Sequence, residues 1–192
     1  GVLSGTFTQN TDALGVATFP DLSINLVGSK NLTATLGALN VVSSAFNITA
    51  SAPGSIAFTQ QPTNTVAGVA ISPAVTATVL DTFGNPVSGQ AVTIALTTGT
   101  GALSGTLTQN TDASGVATFA DLSINLIGSK NLTVTSGALT PAVSNAFTIT
   151  SALPATLAYI QQPTDEVAGV AISPAVNLSV TDTFGNLTNG QA

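Results

Sequence analysis

The chain has 192 residues, a formal charge of −6, two lysines as its only cations, and no Cys, His, Met or Trp. So acidic a chain repels phosphate backbones and anionic lipid surfaces, which argues against nucleic acid as a partner. Without His or Cys it lacks the common general base and the thiolate nucleophile, and without Cys it has no disulfide framework, so a packed core must hold it together. No apolar run approaches the roughly 18 residues of a membrane span; apolar residues alternate instead with Thr and Ser.

The first stretch met along the chain is one half of a repeat. Gly1–Leu39 returns as Gly101–Leu139, differing at only seven of 39 positions: Val2/Ala102, Phe7/Leu107, Leu14/Ser114, Pro20/Ala120, Val27/Ile127, Ala34/Val134 and Leu36/Ser136. Pro53–Ala91 returns as Pro154–Ala192, offset by 101 because NVVSSA becomes TPAVSNA. A period of about 100 suits a whole small domain rather than a solenoid turn. The chain therefore reads as a tandem array, divided into the rear half of one repeat (1–52, strands D–G), a complete repeat (53–152) and the front half of the next (153–192, strands A–B). It falls nine residues short of two full repeats. No signal peptide, sorting motif or lipidation site is recognisable, and the chain reads as a stretch of something longer.

Within 53–152 the strands follow in order. Ser55–Phe58 alternates and predicts strand A, edge-like because Pro62 ends it, with Thr65–Gly68 continuing after the kink. Ala74–Leu80 predicts strand B, with Val75, Ala77 and Val79 inward and Thr76 and Thr78 outward. Asp81–Pro86 predicts a turn in which Gly84 and Asn85 can take positive φ. Ala91–Thr97 predicts strand C, Gly105–Asn110 strand D, and Asp112–Gly115 a tight turn into strand E. Strand E changes phase: Ala117 and Phe119 share one parity, Leu122 and Ile124 the other, which predicts a bulge near Ala120–Asp121. Ile127–Lys130 reads as a loop, Leu132 and Val134 mark strand F, and Phe147 and Ile149 mark strand G. No segment carries a helical stripe. Seven short strands at this spacing predict an all-β, immunoglobulin-like sandwich, repeated in tandem and joined through short Pro-bearing junctions.

The residues Asp81-x-x-Gly84-Asn85-Pro86-Val87-x-Gly89-x-x-Val92, Gly101-x-Leu103-Ser104-Gly105, Thr111-Asp112-x-x-Gly115-Val116-Ala117 and Leu132-Thr133 carry a family resemblance. They resemble the group 1 bacterial immunoglobulin-like domains of invasin and intimin, across the whole repeat. The resemblance implies a secreted or surface-anchored bacterial protein, and a spacer role ahead of a receptor-binding one.

Candidate chemistry is sparse. The only Glu, Glu166, sits beside Asp165, where the other copy has Asn64 and Thr65; adjacent strand residues point to opposite faces, so the pair makes no catalytic cleft. No catalytic residue, cofactor-binding residue or metal ligand is assigned, and no cofactor is expected. Asp81, Asp112 and Asn85 fall on loops of one pole and could offer calcium oxygens, but Asx residues at turns bond their own backbone, which is the preferred reading. Lys30 and Lys130, one per repeat, could form an isopeptide bond with a nearby Asn; the preferred reading is a solvated loop lysine. Asn31, Asn47, Asn131, Asn177 and Asn186 open N-glycosylation patterns that a Thr-rich chain also produces by chance. The one Tyr, Tyr159, matches Phe58 on a strand face that looks inward, which argues against sugar stacking. The reading is a non-catalytic structural repeat of an extracellular or cell-surface protein. It would form a rod, stalk or filament whose partners are neighbouring copies of the repeat, in the same chain or head to tail. The alternative is an adhesin or carbohydrate-binding accessory module.

Overall fold

The computed structural model describes residues 1–190; Gln191 and Ala192, the last two of the 153–192 segment, lie outside the described residues. Among the described residues there is no helix, so none is long and apolar enough to cross a membrane. The architecture is all-β.

The core lies between two sheets built by residues 53–150. Numbering the strands of this central repeat in chain order, β1 is Pro53–Gln60, β2 Thr65–Val66, β3 Val75–Asp81 and β4 Ala91–Thr98. They are followed by β5 Leu103–Ser104, β6 Thr108–Asn110, β7 Val116–Phe119, β8 Ser123–Ile124, β9 Gly128–Thr135, β10 Ala142–Val143 and β11 Phe147–Thr150. One sheet runs β7-β3-β1; the other runs β6-β4-β9-β11-β2, with β10 beside β9; β5 and β8 pair with each other. All pairs are antiparallel except β11–β2, where Ile149 and Thr150 face Thr65 and Val66. The inward rows are those the alternation requires: Val75, Ala77 and Val79 from β3, Val92 and Ile94 from β4, Ala117 and Phe119 from β7, Leu132 and Val134 from β9, Phe147 and Ile149 from β11. The outward rows are Thr, and these bond each other across strands, Thr59 to Thr76 and Thr78, Thr93 to Thr108 and Thr97 to Thr133. That gives a wettable surface without charge.

Strand A is split as its proline requires. The segment before Pro62 edges the three-stranded sheet and the segment after it joins the other sheet. Three expectations need correction. Strand D is two pieces, β5 and β6, because Gly105 turns the chain at φ 116° with its Cα against the Asp121 carbonyl. The phase change after Phe119 is a change of partner rather than a bulge. β7 leaves β3, the chain crosses at Asp121, and β8 pairs with β5; all four apolar residues still reach the core. The Asp121 carboxylate fastens this crossing by accepting from the Thr106 N–H and hydroxyl, bonds that hold its pKa low against a smaller desolvation effect. Third, Gly128–Lys130 is strand, not loop, and Lys130 is buried.

The flanking segments carry parts of the same fold. In 1–52, Leu3–Ser4 pairs with Ser23–Ile24, Gly28–Lys30 with Phe46–Ile48, and Thr33–Leu36 with Leu39–Val42. In 153–190, Thr156–Gln161 pairs with Asn177–Thr181 in the register that β1 and β3 use.

Candidate inter-repeat joint

The loop Asp81-Thr-Phe-Gly-Asn85 folds on its first side chain. Asp81 Oδ1 accepts from the N–H of Phe83 (2.9 Å) and of Asn85 (2.8 Å), while Gly84 takes the positive φ that the turn needs, 82°. Asn85 itself keeps a negative φ. The second carboxylate oxygen, Oδ2, accepts from the Asn85 side-chain amide (2.9 Å) and from the N–H of Ser51, at the end of the preceding segment (3.0 Å). The Asn85 amide reaches further back: its Nδ2 also donates to the Asn25 carbonyl (2.9 Å), and its Oδ1 accepts from the Val27 N–H (3.2 Å). One Asx pair thus ties the turn to itself and to the repeat before it. Burial pushes the Asp81 carboxyl up; the bonds from Asn85, Ser51 and Phe83 together outweigh it and hold the group well below the usual carboxylate range.

The same joint recurs one repeat later. Asp182 accepts from the N–H of Phe184 and Asn186 and from that of Ala152 (each 2.9 Å). The Asn186 amide donates to Asp182 (2.8 Å) and to the Asn125 carbonyl (2.9 Å), and its oxygen accepts from the Ile127 N–H (3.1 Å). The Asp182 pKa is lowered by the same balance.

Lys30 and Lys130 complete the arrangement from the other side. Lys30 Nζ donates to the Val27 carbonyl and Lys130 Nζ to the Ile127 carbonyl, both at 2.9 Å. Residue 27 or 127 is therefore gripped twice, its carbonyl by its own repeat's lysine and its N–H by the next repeat's asparagine. The expectation of a solvated loop lysine is corrected for Lys130, which is 1 % exposed. Gly99, at φ 95°, lays its backbone against the Lys130 stem and closes it off from water. Desolvation lowers the Lys130 pKa. Its bonded atom is a backbone carbonyl, and the nearby asparagine's amide is engaged with Asp182 and Asn125.

The second joint has an apolar contact that the first lacks. The Phe184 ring lies on Gly68, whose φ is 76°, so closely that a Cβ there would fall inside the ring. Phe83, the counterpart of Phe184, is 63 % exposed.

The remaining sequence candidates fall into place around the joints. The turn Asp112–Gly115 does abut the Asp81 loop: Val79 N–H donates to the Gly115 carbonyl, and the Gly115 Cα faces Pro86. Asp112 Oδ1, however, accepts from the N–H of Ser114 and Val116, as a turn-forming Asp does. Among the described residues no three acidic groups cluster as metal ligands. Asp165 and Glu166 are exposed and outside any strand. Of the glycosylation patterns, Asn186 is buried in the joint, and Asn31 and Asn131 donate their amides to the carbonyls of Ser43 and Ser144. Tyr159 is half exposed, because nothing among the described residues covers the face that holds Phe58 in the central repeat. Sequence reasoning saw Asp81, Asn85 and Lys130 but not their joint role. The available signal was that Asp, Gly-Asn and Lys recur unchanged in both copies beside the repeat boundary.

No protein-family model matches the chain, and no curated protein does. Solved structures do. InvD of Yersinia pseudotuberculosis aligns over 98 % of this chain and 59 % of its own, at 17 % identity and a TM-score of 0.51. FdeC, an Escherichia coli adhesin, aligns over 83 % of this chain and 52 % of its own (17 %, 0.47), and the D00-D0 domain of intimin over 78 % and 77 % (17 %, 0.42). The chain thus spans between about half and three quarters of these structures. The likeness to InvD shows the fold: tandem immunoglobulin-like sandwiches.

Proposed function

We propose that this chain is a non-catalytic structural repeat of an extracellular or cell-surface bacterial protein, serving as a segment of a rod, stalk or filament. Its parts are a rear half-repeat (1–52), a complete repeat (53–152) and a front half-repeat (153–192). The observation that carries the reading is the joint. Two successive boundaries are fixed by the same Asp–Asn pair, the same two backbone acceptors and donors, and the same lysine behind them. A linker of flexible residues would let repeats swing independently; a boundary bonded at three separated backbone sites resists bending and twisting together. Thr rows in place of Lys and Arg suit an exposed surface with few sites for trypsin-like proteases. The surface proteins InvD, FdeC and intimin support the location by analogy of fold. Electron microscopy of the native material tests this. Straight, unbranched bodies with an axial repeat of one or two domains are expected; beads free to swing about each boundary would contradict it.

A further inference from the structure

We propose that residues 153–190 of a second copy of this chain dock onto residues 1–52, closing the open sandwich there and joining chains head to tail. The inference rests on the rod reading and names its partner.

The receiving face is a groove of about 460 Å³ whose walls include Leu3, Phe7, Phe19, Leu22, Leu32 and Ala34. Their counterparts Phe119, Leu122, Leu132 and Val134 are fully buried in the central repeat. Residues 16–19 form no ladder, whereas 116–119, identical in sequence, pair with β3. What is absent beside them is a β3.

The last segment holds one, already paired to its β1 counterpart, with its other edge free. It exposes Val176 and Leu178, which stand where Val75 and Ala77 are buried. Transferring the central register by the repeat offset places Val16, Ala17, Thr18 and Phe19 opposite Ser179, Leu178, Asn177 and Val176 of the second copy. The same transfer of the β11–β2 pairing sets Ile48 and Thr49 beside Glu166 and Val167 of the second copy. An edge strand meeting an unpaired edge, with apolar rows matched on one face, is β-augmentation.

An independent feature points to the same partner. Phe184 rests on Gly68 of the repeat before it, but Phe83 is exposed. Docking in this register brings Gly169 of the second copy beneath Phe83. Gly169 has the matching conformation, φ 86°, and nothing within 4 Å of where a Cβ would stand. The new boundary would then repeat the second joint, ring contact included. The composite domain lacks a β4 counterpart, so the association is reversible and depends on concentration.

The chain has no cysteine, so a pair placed at Thr18 and Asn177, on the outward side of the docked strands, reports the register against no background. In the Thr18→Cys/Asn177→Cys variant, oxidation should give a ladder of disulfide-linked multimers, and light scattering of the parent chain should show mass rising with concentration. Adding Leu178→Asp should abolish both while the central repeat's melting is unchanged. A monomer mass at every concentration with no ladder would overturn the docking, as would a single cross-linked monomer, or an equal ladder from Thr18→Cys/Thr164→Cys. Small-angle scattering separates this from failure of the rod: an extended, fixed monomer refutes docking alone, and a freely hinged one refutes the rod.

Discussion

Gly15-Val-Ala-Thr-Phe19 and Gly115-Val-Ala-Thr-Phe119 are the same five residues, yet the second is a strand with a fully buried phenylalanine and the first is neither. Pro20 against Ala120 is the only difference nearby. What separates them is the neighbour: β3 lies beside residues 116–119, and nothing in this chain lies beside 16–19. Strand state here belongs to the pairing and not to the segment, because one strand alone can satisfy neither its backbone groups nor its apolar face. The lysines show the same contrast. Lys130 is buried under Gly99, while Lys30, for which residues 1–52 contain no counterpart of Gly99, is only partly covered.

The largest effect expected from breaking this contrast is at the two phenylalanines. Phe119→Ala should cost about 3–5 kcal/mol in urea unfolding of the central repeat. Phe19→Ala should leave that transition unmoved at low protein concentration and weaken multimer formation instead. Equal losses at both positions would mean that the first segment is packed as the central one is.

Next is the joint. Asn85→Ala removes the bonds to Asn25 and Val27, at about 1 kcal/mol each, and should raise amide exchange at Val27 while sparing Ile127. Asn186→Ala should do the reverse. Gly68→Ala places a methyl against Phe184 and forces an L-residue to positive φ, at about 1–2 kcal/mol; exchange should rise at the second joint only.

The joint is also pH-dependent. Asp81 and Asp182 titrate below the ordinary value of 3.8 when folded, so the stability they contribute is complete above that value and is lost as pH falls beneath it. Exchange at Val27 and Ile127 should be flat from neutrality to about pH 4 and rise in stronger acid; Asp81→Asn should remove most of that dependence at Val27. The smallest effect is at Lys130. Desolvation disfavours its charged form, so Lys130→Met should leave the central repeat's melting unchanged or slightly raised, while loosening Ile127 at the second joint.

Much of the fold was legible because period-two alternation and turn residues are local signals: β3, β4 and β9 carry their inward rows as plainly in sequence as in space. The corrections all involve partners distant in the chain. Asp121 looked like part of a bulge, and only its grip on Thr106, fifteen residues back, makes it a crossing. Lys130 looked solvated because a Gly-Ser-Lys-Asn run does not announce the glycine loop that will cover it. Asp81 and Asn85 were legible as a turn, and as a turn they are correct. Their reach to Ser51, Asn25 and Val27 required knowing how one repeat sits on the next.

The joint is most directly tested by a distance distribution between spin labels at Thr35→Cys and Thr118→Cys, outward positions on either side of the first boundary. The account predicts one narrow peak that broadens with Asn85→Ala and is unchanged by Asn186→Ala. A broad distribution in the parent chain, indifferent to Asn85, would contradict it.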